Sequence, residues 1–524
     1  MSPRTKFPTL SPVAAWRLVR IVLIAVFVFL VGRHWYPYYG FTGLLQADIQ
    51  SEKLLPASLR DTPIFIHPHI GRYDGVYYAQ IATSPALRDP ELKVAVDDLG
   101  YRARRILLSA VAWAVGGGDP VRAVHVYAWL NIVVWFALAG VLWRLLPVEA
   151  GGRAAFAFAA LLFAGGTLAS VRLALTDLAA MTLLAAALLA GERNRPALAA
   201  VLTGLGGLAR ETAMLGLAAL LPERPTDFRL LARRAGLFLL AVIPLAGWSW
   251  YVWSAIASAS AGTANIGWPL GGWILRWQEL LRLRQAEPNN WLVVTAWLDS
   301  FALLAQMAYI LVRPEWRSPW WRVGFFFTLL SLCLGWAVLE GVPGAAVRVL
   351  LPLTLAFNVL ACRRRAAVVW LVLGNLSIFG GLLSLWAPPA QPHTLAVRSA
   401  WGRSCVLETD QRWQVAEWNS KWRWSWCDEA GGVRLRIWPW PDRARVQLQV
   451  RGITPRELEV WHDGTQVWQG SIGDRPEWIT LPELPVTRGN LVLELRSAGP
   501  STPDGAAGRE RTISFACFGA RLVE

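Results

Sequence analysis

Between residues 14 and 386 the chain is a series of apolar runs separated by short polar breaks. A helix needs about 20 apolar residues to cross roughly 30 Å of hydrocarbon. In lipid, only helices and closed barrels satisfy their own backbone. Runs at 14–33, 121–146, 154–171, 177–191, 196–209, 211–222, 235–256, 291–312, 323–340, 347–361 and 366–386 meet or approach that length. They predict a mainly α, polytopic transmembrane helical bundle of about eleven spans. Composition agrees: charged residues make up 17% of the chain, where a soluble domain carries about 25%. The first run follows Arg4, Lys6, Arg17 and Arg20 but is longer than a signal-peptide core and has no Ala-x-Ala site after it. It is expected to remain as an uncleaved first span.

Orientation follows from where the arginines fall. With the N-terminus inside and alternating sides, the inner turns carry Arg144 and Arg153, Arg193 and Arg195, and Arg224, Arg229, Arg233 and Arg234. They continue with Arg313, Arg317 and Arg322, then Arg363, Arg364 and Arg365. Every inner turn is basic, which places three regions outside: a first loop at 34–120, a second region at 257–290, and the tail from Ala387. The domain division expected is therefore 1–386 for the membrane part and 387–524 for the tail.

The tail is different material. Val433–Ile437, Val446–Val450, Leu491–Leu495 and Thr512–Phe515 alternate apolar and polar residues, with breaks such as Asp463-Gly464 between them. Short alternating strands over some 140 residues predict an all-β sandwich. Cys405, Cys427 and Cys517 lie in it. Outside the cytoplasm, one disulfide with a thiol left over is one expectation and three buried thiols the other. Trp413, Trp418, Trp422, Trp424 and Trp426 either offer stacking surfaces for sugar rings or serve as core and interface anchors.

The first outer loop contains Arg72-Tyr-Asp-Gly-Val-Tyr-Tyr-Ala-Gln-Ile-Ala82. Gly75 permits a tight turn after Asp74, and the following spacing is helical, so Asp74 is expected at a helix start, able to cap it. Tyr73, Tyr77 and Tyr78 flank it. Asp97 and Asp98 then precede Arg102, Arg104 and Arg105, which sit on the side the positive-inside trend disfavours. Either they bind an anion or they pair with the neighbouring acids, Glu91 included. Ionisable residues recur at outer ends of the runs: Arg172 and Asp177, Arg210 and Glu211, Glu340 and Arg348. A charge at membrane depth costs about 2.5–3.5 kcal/mol on insertion scales and marks function by default. Converging arginines would bind phosphate, and acids beside them would move protons. His67 and His69 form a His-x-His pair without a recognisable third ligand.

The Tyr-Asp-Gly-x-Tyr-Tyr-x-x-Ile-Ala pattern at 73–82, the Arg-Arg-Ile-Leu segment at 104–107 and the Ala-Arg-Glu-Thr turn at 209–212 resemble the GT-C superfamily of membrane glycosyltransferases, bacterial members in particular. That resemblance covers roughly 14–386. It implies a sugar donor carried on a polyprenyl phosphate, a glycan, lipid or protein acceptor, inverting transfer on the outer face, and residence in the bacterial inner membrane with the C-terminal domain periplasmic or extracellular. Carried over residue by residue, Asp74 becomes the general base, and Arg102, Arg105, Arg210 and Arg348 hold the lipid phosphate. Asp97 or Asp98 corresponds to a second loop acid. No cofactor is expected and no metal is needed where arginines neutralise phosphate, although a divalent ion remains an alternative. The net charge of +15 is expected to serve membrane lipid and phosphate rather than nucleic acid. Two other classes stay open: a transporter or flippase of lipid-linked sugars, which would put its ionisable residues mid-membrane on broken helices, and a non-catalytic sugar-binding scaffold.

Overall fold

A computed structural model describes residues 11–36, 38–60, 62–67, 70–222, 228–256, 263–342, 344–389, 394–400, 403–419, 422–497, 499, 501–504 and 511–523. His69 and Arg224 lie outside the described residues. The chain divides into two compact units. One comprises Met1–His34, Leu44–Ala57 and Pro68–Pro388; the other comprises Trp35–Gly43, Ser58–His67 and Pro389–Glu524. The boundary near 388 lies two residues from the one read in the sequence, and two pieces of the 34–120 loop belong to the second unit. The reason is apolar: Tyr38, Tyr39 and Phe65 bury themselves with Val406.

The first unit is helical, and its helix starts are written in the sequence. Ser11-Pro12, Asp119-Pro120 and Ser318-Pro319 each place a capping side chain before a proline whose missing N–H costs nothing at the first turn. Among the described residues, five helical stretches are long and apolar enough to cross a membrane: Val13–Gly32, Pro120–Leu145, Gly152–Arg172 with a break at 163–164, Arg234–Ala255 and Trp291–Val312. A sixth span arises if Arg365–Leu373 and Ile378–Trp386, bent by 44°, are counted together. Leu18, Ile21, Val22 and Phe29 on the first helix, and Leu239, Ile243, Trp250 and Trp253 on the fourth, stay exposed. Such apolar stripes need lipid as their solvent, so the chain is an integral membrane protein.

The remaining apolar runs form shorter helices. Asp177–Glu192 has 16 residues, Pro196–Ala209 and Pro319–Leu332 have 14 each, and Leu351–Cys362 has 12. At 1.5 Å per residue the longest rises about 24 Å, short of the hydrocarbon thickness. Glu211–Leu220 is a 3-10 segment of 10 residues, and the region after 262 carries the helix Gly271–Ala286. Arginines serve as caps on several of these ends: Arg234 and Arg322 donate to the carbonyls of residues 218–221 that terminate the 3-10 segment.

Among the described residues, the second unit has two large antiparallel sheets and a two-stranded one that pairs Thr502–Asp504 with Arg511–Ile513. The six-stranded sheet runs, in spatial order, Thr465–Ile472, Arg456–His462, Asn490–Ser497, Ala430–Trp438, Arg403–Thr409, Thr394–Ala400. The five-stranded sheet runs Glu477–Pro485, Arg443–Gly452, Phe515–Val523, Arg423–Cys427, Glu417–Trp418. Val446, Leu448 and Val450 of one sheet share a core with Leu491, Leu493 and Leu495 of the other. That is the alternation expected of a half-buried strand. The five cysteines are free. Cys405, Cys427 and Cys517 are buried, and burial pushes the Cys405 and Cys517 thiols up to about 12. The disulfide expectation therefore gives way to three buried thiols. Trp413 and Trp426 are core residues, whereas Trp418 is 74% exposed.

Candidate active site

Four local devices bring distant charges together in the helical unit. Gly75 lets the helix Asp74–Ile81 lie against the chain at Leu173: a Cβ there would sit 2.1 Å from the Leu173 carbonyl oxygen. Asp98 caps the short helix Leu99–Arg102 through the Tyr101 amide (2.8 Å), which sets Arg102 at its end. Arg210 is extended, at φ −157°, between Pro196–Ala209 and the 3-10 segment. Gly166 packs on the Val347 carbonyl, a Cβ there lying 2.2 Å from its oxygen, and so seats the turn that carries Arg348.

The charges form a closed circuit. Arg102 Nη1 meets Asp74 Oδ2 at 2.9 Å, and its Nε and Nη2 grip Asp97 at 3.0 and 2.8 Å. Arg105 donates Nε to Glu211 (3.0 Å), Nη1 to the Tyr78 hydroxyl (2.8 Å) and Nη2 to the Tyr101 hydroxyl (2.7 Å). Arg210, next to Glu211, pairs with Asp177. Arg348 lies 3.5 Å from the other Asp177 oxygen and donates to the Tyr73 hydroxyl at 2.7 Å. Tyr73 precedes Asp74, which closes the ring. Tyr77, Tyr78 and Tyr101 line it, with the Arg102 guanidinium 5.2, 6.0 and 5.4 Å from their centroids.

Four acids thus face four arginines, and Arg72 over Tyr77 and Arg104 over Tyr101 add positive charge. Access differs sharply among the acids. The Asp177 side chain is 2% exposed and Asp74 28%. Asp74 Oδ1 accepts no hydrogen bond among the described residues, and Arg210 Nε and Glu211 Oε1 are buried without a hydrogen-bond partner. The circuit therefore keeps unused hydrogen-bonding capacity beside a carboxylate that solvent reaches. Burial pushes the Asp97 carboxyl up, but the hydrogen bonds and charge of Arg102 outweigh it and hold the group below the usual aspartate value. Burial lifts the Tyr73 and Tyr77 phenols, so both remain neutral donors and acceptors.

Of the residues singled out in the sequence, Asp74, Tyr73, Tyr77, Tyr78, Asp97, Arg102, Arg105, Asp177, Arg210, Glu211 and Arg348 meet here. Three do not. Asp98 caps a helix instead. Glu340 is exposed. Arg172 shows no ion pair to the circuit, and its Nη1 is buried without a hydrogen-bond partner. Asp74 is the first residue of its helix rather than its cap, because Tyr73 holds the capping position without a side-chain bond. Sequence reasoning missed Tyr101, which receives Arg105 and Asn265 (3.0 Å); its place between the two acids and the three arginines was the available signal. His67 binds the Gly43 carbonyl at 2.8 Å, and the described residues contain no cluster of three or more metal-type side chains.

Fold and site define a helical membrane protein with a β-sheet unit and an acid–arginine circuit that assembles residues 73 to 348. No family model matches the chain, and no curated protein matches it. Among solved structures, the cryo-EM structure of arabinosyltransferase EmbB from Mycobacterium smegmatis aligns with 13% identity and a TM-score of 0.28 over 100% of this chain. The chain spans 66% of that protein's length. A likeness at this level defines neither substrate nor residue roles for this chain.

Proposed function

We propose that this protein is an inverting membrane glycosyltransferase that moves a sugar from a polyprenyl-phosphate-linked donor to an acceptor on the extracytoplasmic side. The observation that carries the reading is Asp74: a partly exposed carboxylate with one oxygen on Arg102 and the other open, set in a ring of tyrosines and arginines. In the reaction, an acceptor hydroxyl oxygen attacks C1 of the sugar and its proton passes to Asp74 Oδ1. The C1–O bond to phosphate breaks, and the electron pair leaves with the phosphate. A carboxylate within hydrogen-bond reach contributes about 10²–10⁴-fold as general base. The arginines stabilise the charge that develops on phosphate. Arg102, Arg105, Arg210 and Arg348 are the groups proposed to meet the phosphate, and Arg72 over Tyr77 adds positive charge at the same cluster.

The test is transfer from a panel of polyprenyl-phosphate sugars by the purified chain in vesicles. Asp74→Asn keeps the shape and removes the base, so transfer is expected to fall by about 10²–10⁴-fold with the fold intact. Turnover at the level of the unaltered protein would remove Asp74 from the chemistry. A second reading, transport of the lipid-linked sugar, draws on Asp299. This buried acid lies within the span Trp291–Val312, beside the helix breaks at 163–164 and 374–377. Movement of a labelled lipid-linked sugar across vesicles without any acceptor separates that reading from transfer.

A further inference from the structure

Asp299 and Arg276 take no part in the circuit, yet both are 2% exposed in the helical unit. Neither Asp299 carboxylate oxygen has a hydrogen-bond partner among the described residues. Glycines leave space for this carboxylate: a Cβ at Gly165 or Gly380 would lie 3.1 or 3.2 Å from Oδ1. Arg276, on the helix Gly271–Ala286, donates Nε to Ser300 Oγ (3.4 Å) and Nη1 to the Gly341 carbonyl (2.5 Å). The acid and the guanidinium act on one another electrostatically without forming a direct ion pair.

Between them lies a small cavity lined by Trp273, Arg276, Asp299, Ser300, Leu339 and Val347. It has room for about one water molecule, and a buried water needs two to four polar partners. Asp299, Arg276 and the Ser300 hydroxyl supply them. A buried carboxyl group left without any partner carries a desolvation cost, larger when charged, and an occupant that hydrogen-bonds it offsets that cost. An apolar occupant would leave that cost in place, and a cation would face the Arg276 charge.

We infer that a single water molecule occupies this cavity and joins Asp299 to Arg276, and that the bridged pair positions Arg348. The mechanical link is short. Arg276 holds the Gly341 carbonyl, and Gly344, at φ +91°, lies just before the helix Ala346–Val349, which delivers Arg348 to Asp177 and Tyr73. Val347, the residue before Arg348, forms one wall of the cavity. Asp299 and Arg276 are positioning residues, and this role stands whether or not the circuit transfers sugar.

The test uses the full chain in lipid nanodiscs and two measurements. The first is a cryo-EM map at a resolution that shows waters. One peak within hydrogen-bond distance of both side chains supports the inference; an empty cavity, a direct Asp–Arg contact or a coordinated metal ion overturns it. The second is amide hydrogen exchange over residues 338–348, where Ala345 N–H bonds the Val338 carbonyl and Arg348 N–H the Ala345 carbonyl. Arg276→Met and Asp299→Leu are each expected to speed exchange there by about tenfold or more. The double variant should be no faster than Arg276→Met alone, and Asp299→Asn, which still bonds a water, should stay near the unaltered rate. Unchanged exchange in Asp299→Leu, or independent effects that multiply in the double variant, would reject the link.

Discussion

Asp97 shows how much of the site's behaviour is set by one arginine. Arg102 grips it with two nitrogens at 3.0 and 2.8 Å while also meeting Asp74. Its folded-state pKa lies below the ordinary aspartate value. A depressed carboxylate contributes stability that is present above its unfolded value, roughly 3.9, and is lost as pH falls through the lower folded value. The Tm difference between the unaltered chain and Asp97→Asn is therefore expected to stay constant from pH 7 to about 5 and to shrink below about pH 4. Thermal unfolding in detergent across that range checks it; a difference that vanishes already near pH 6 would contradict the arrangement. Asp97 is 39% exposed on its side chain, so the contribution is screened and modest. The neighbouring acid has a different task. Both aspartates are adjacent in sequence, and only the backbone geometry assigns one to Arg102 and the other to a helix cap.

At the scale of elements, the circuit depends on close approach of backbones. The helix Asp74–Ile81 touches the chain at Leu173, and the start of Gly165–Arg172 touches Val347, each through a glycine. A methyl group at Gly75 would fall 2.1 Å from a carbonyl oxygen, which no side-chain rotation relieves. Overpacking of this kind costs about 1–3 kcal/mol. Gly75→Ala is expected to lower Tm and to cut activity more than Gly75 alone would suggest, because the displaced helix carries Asp74, Tyr77 and Tyr78 together. Equal Tm and activity in that variant would show that the helix is free to shift. Much at this scale was readable in advance. The strands at 446–450 and 491–495 face their apolar residues into the core as their alternation required. The length of each element was less readable. The runs at 154–171 and 347–361 are broken, at 163–164 and at 350, because small and apolar residues tolerate helix, turn and 3-10 geometry alike. Tertiary packing makes the choice among them.

For the whole molecule, the arrangement of charge along the helices gives a test of orientation. Asp177 begins one helix at the acid–arginine circuit, and Glu192 ends it on Arg363 at 3.1 Å. Fifteen residues of rise separate them by about 22 Å. The circuit and the Arg363-containing turn therefore occupy opposite ends of the helical unit. With basic turns facing the cytoplasm, a reporter inserted at Arg193–Arg195 is expected to read as cytoplasmic, and one fused after residue 523 as extracytoplasmic. An enzyme active only outside the cytoplasm, fused at each point in separate cells, measures this. Activity at the first point and none at the second would invert the orientation and move the proposed transfer to the other face.

The sequence alone pointed to a chain that lives in lipid, to a β-rich unit after residue 386, and to a run of acids, tyrosines and arginines at 73–105 that is charged where charge is costly. Those conclusions depend on composition, periodicity and local caps, which act over a few residues. Tertiary structure alone decided which charges meet. Asp177 and Arg348, or Arg105 and Glu211, stand 171 and 106 positions apart, and no local rule links them. They meet because helix packing through glycine contacts brings separate element ends to one place, where each buried charge needs a partner. The same reasoning separates Asp74 from its neighbours: its open oxygen is a property of the packed unit and of no segment by itself.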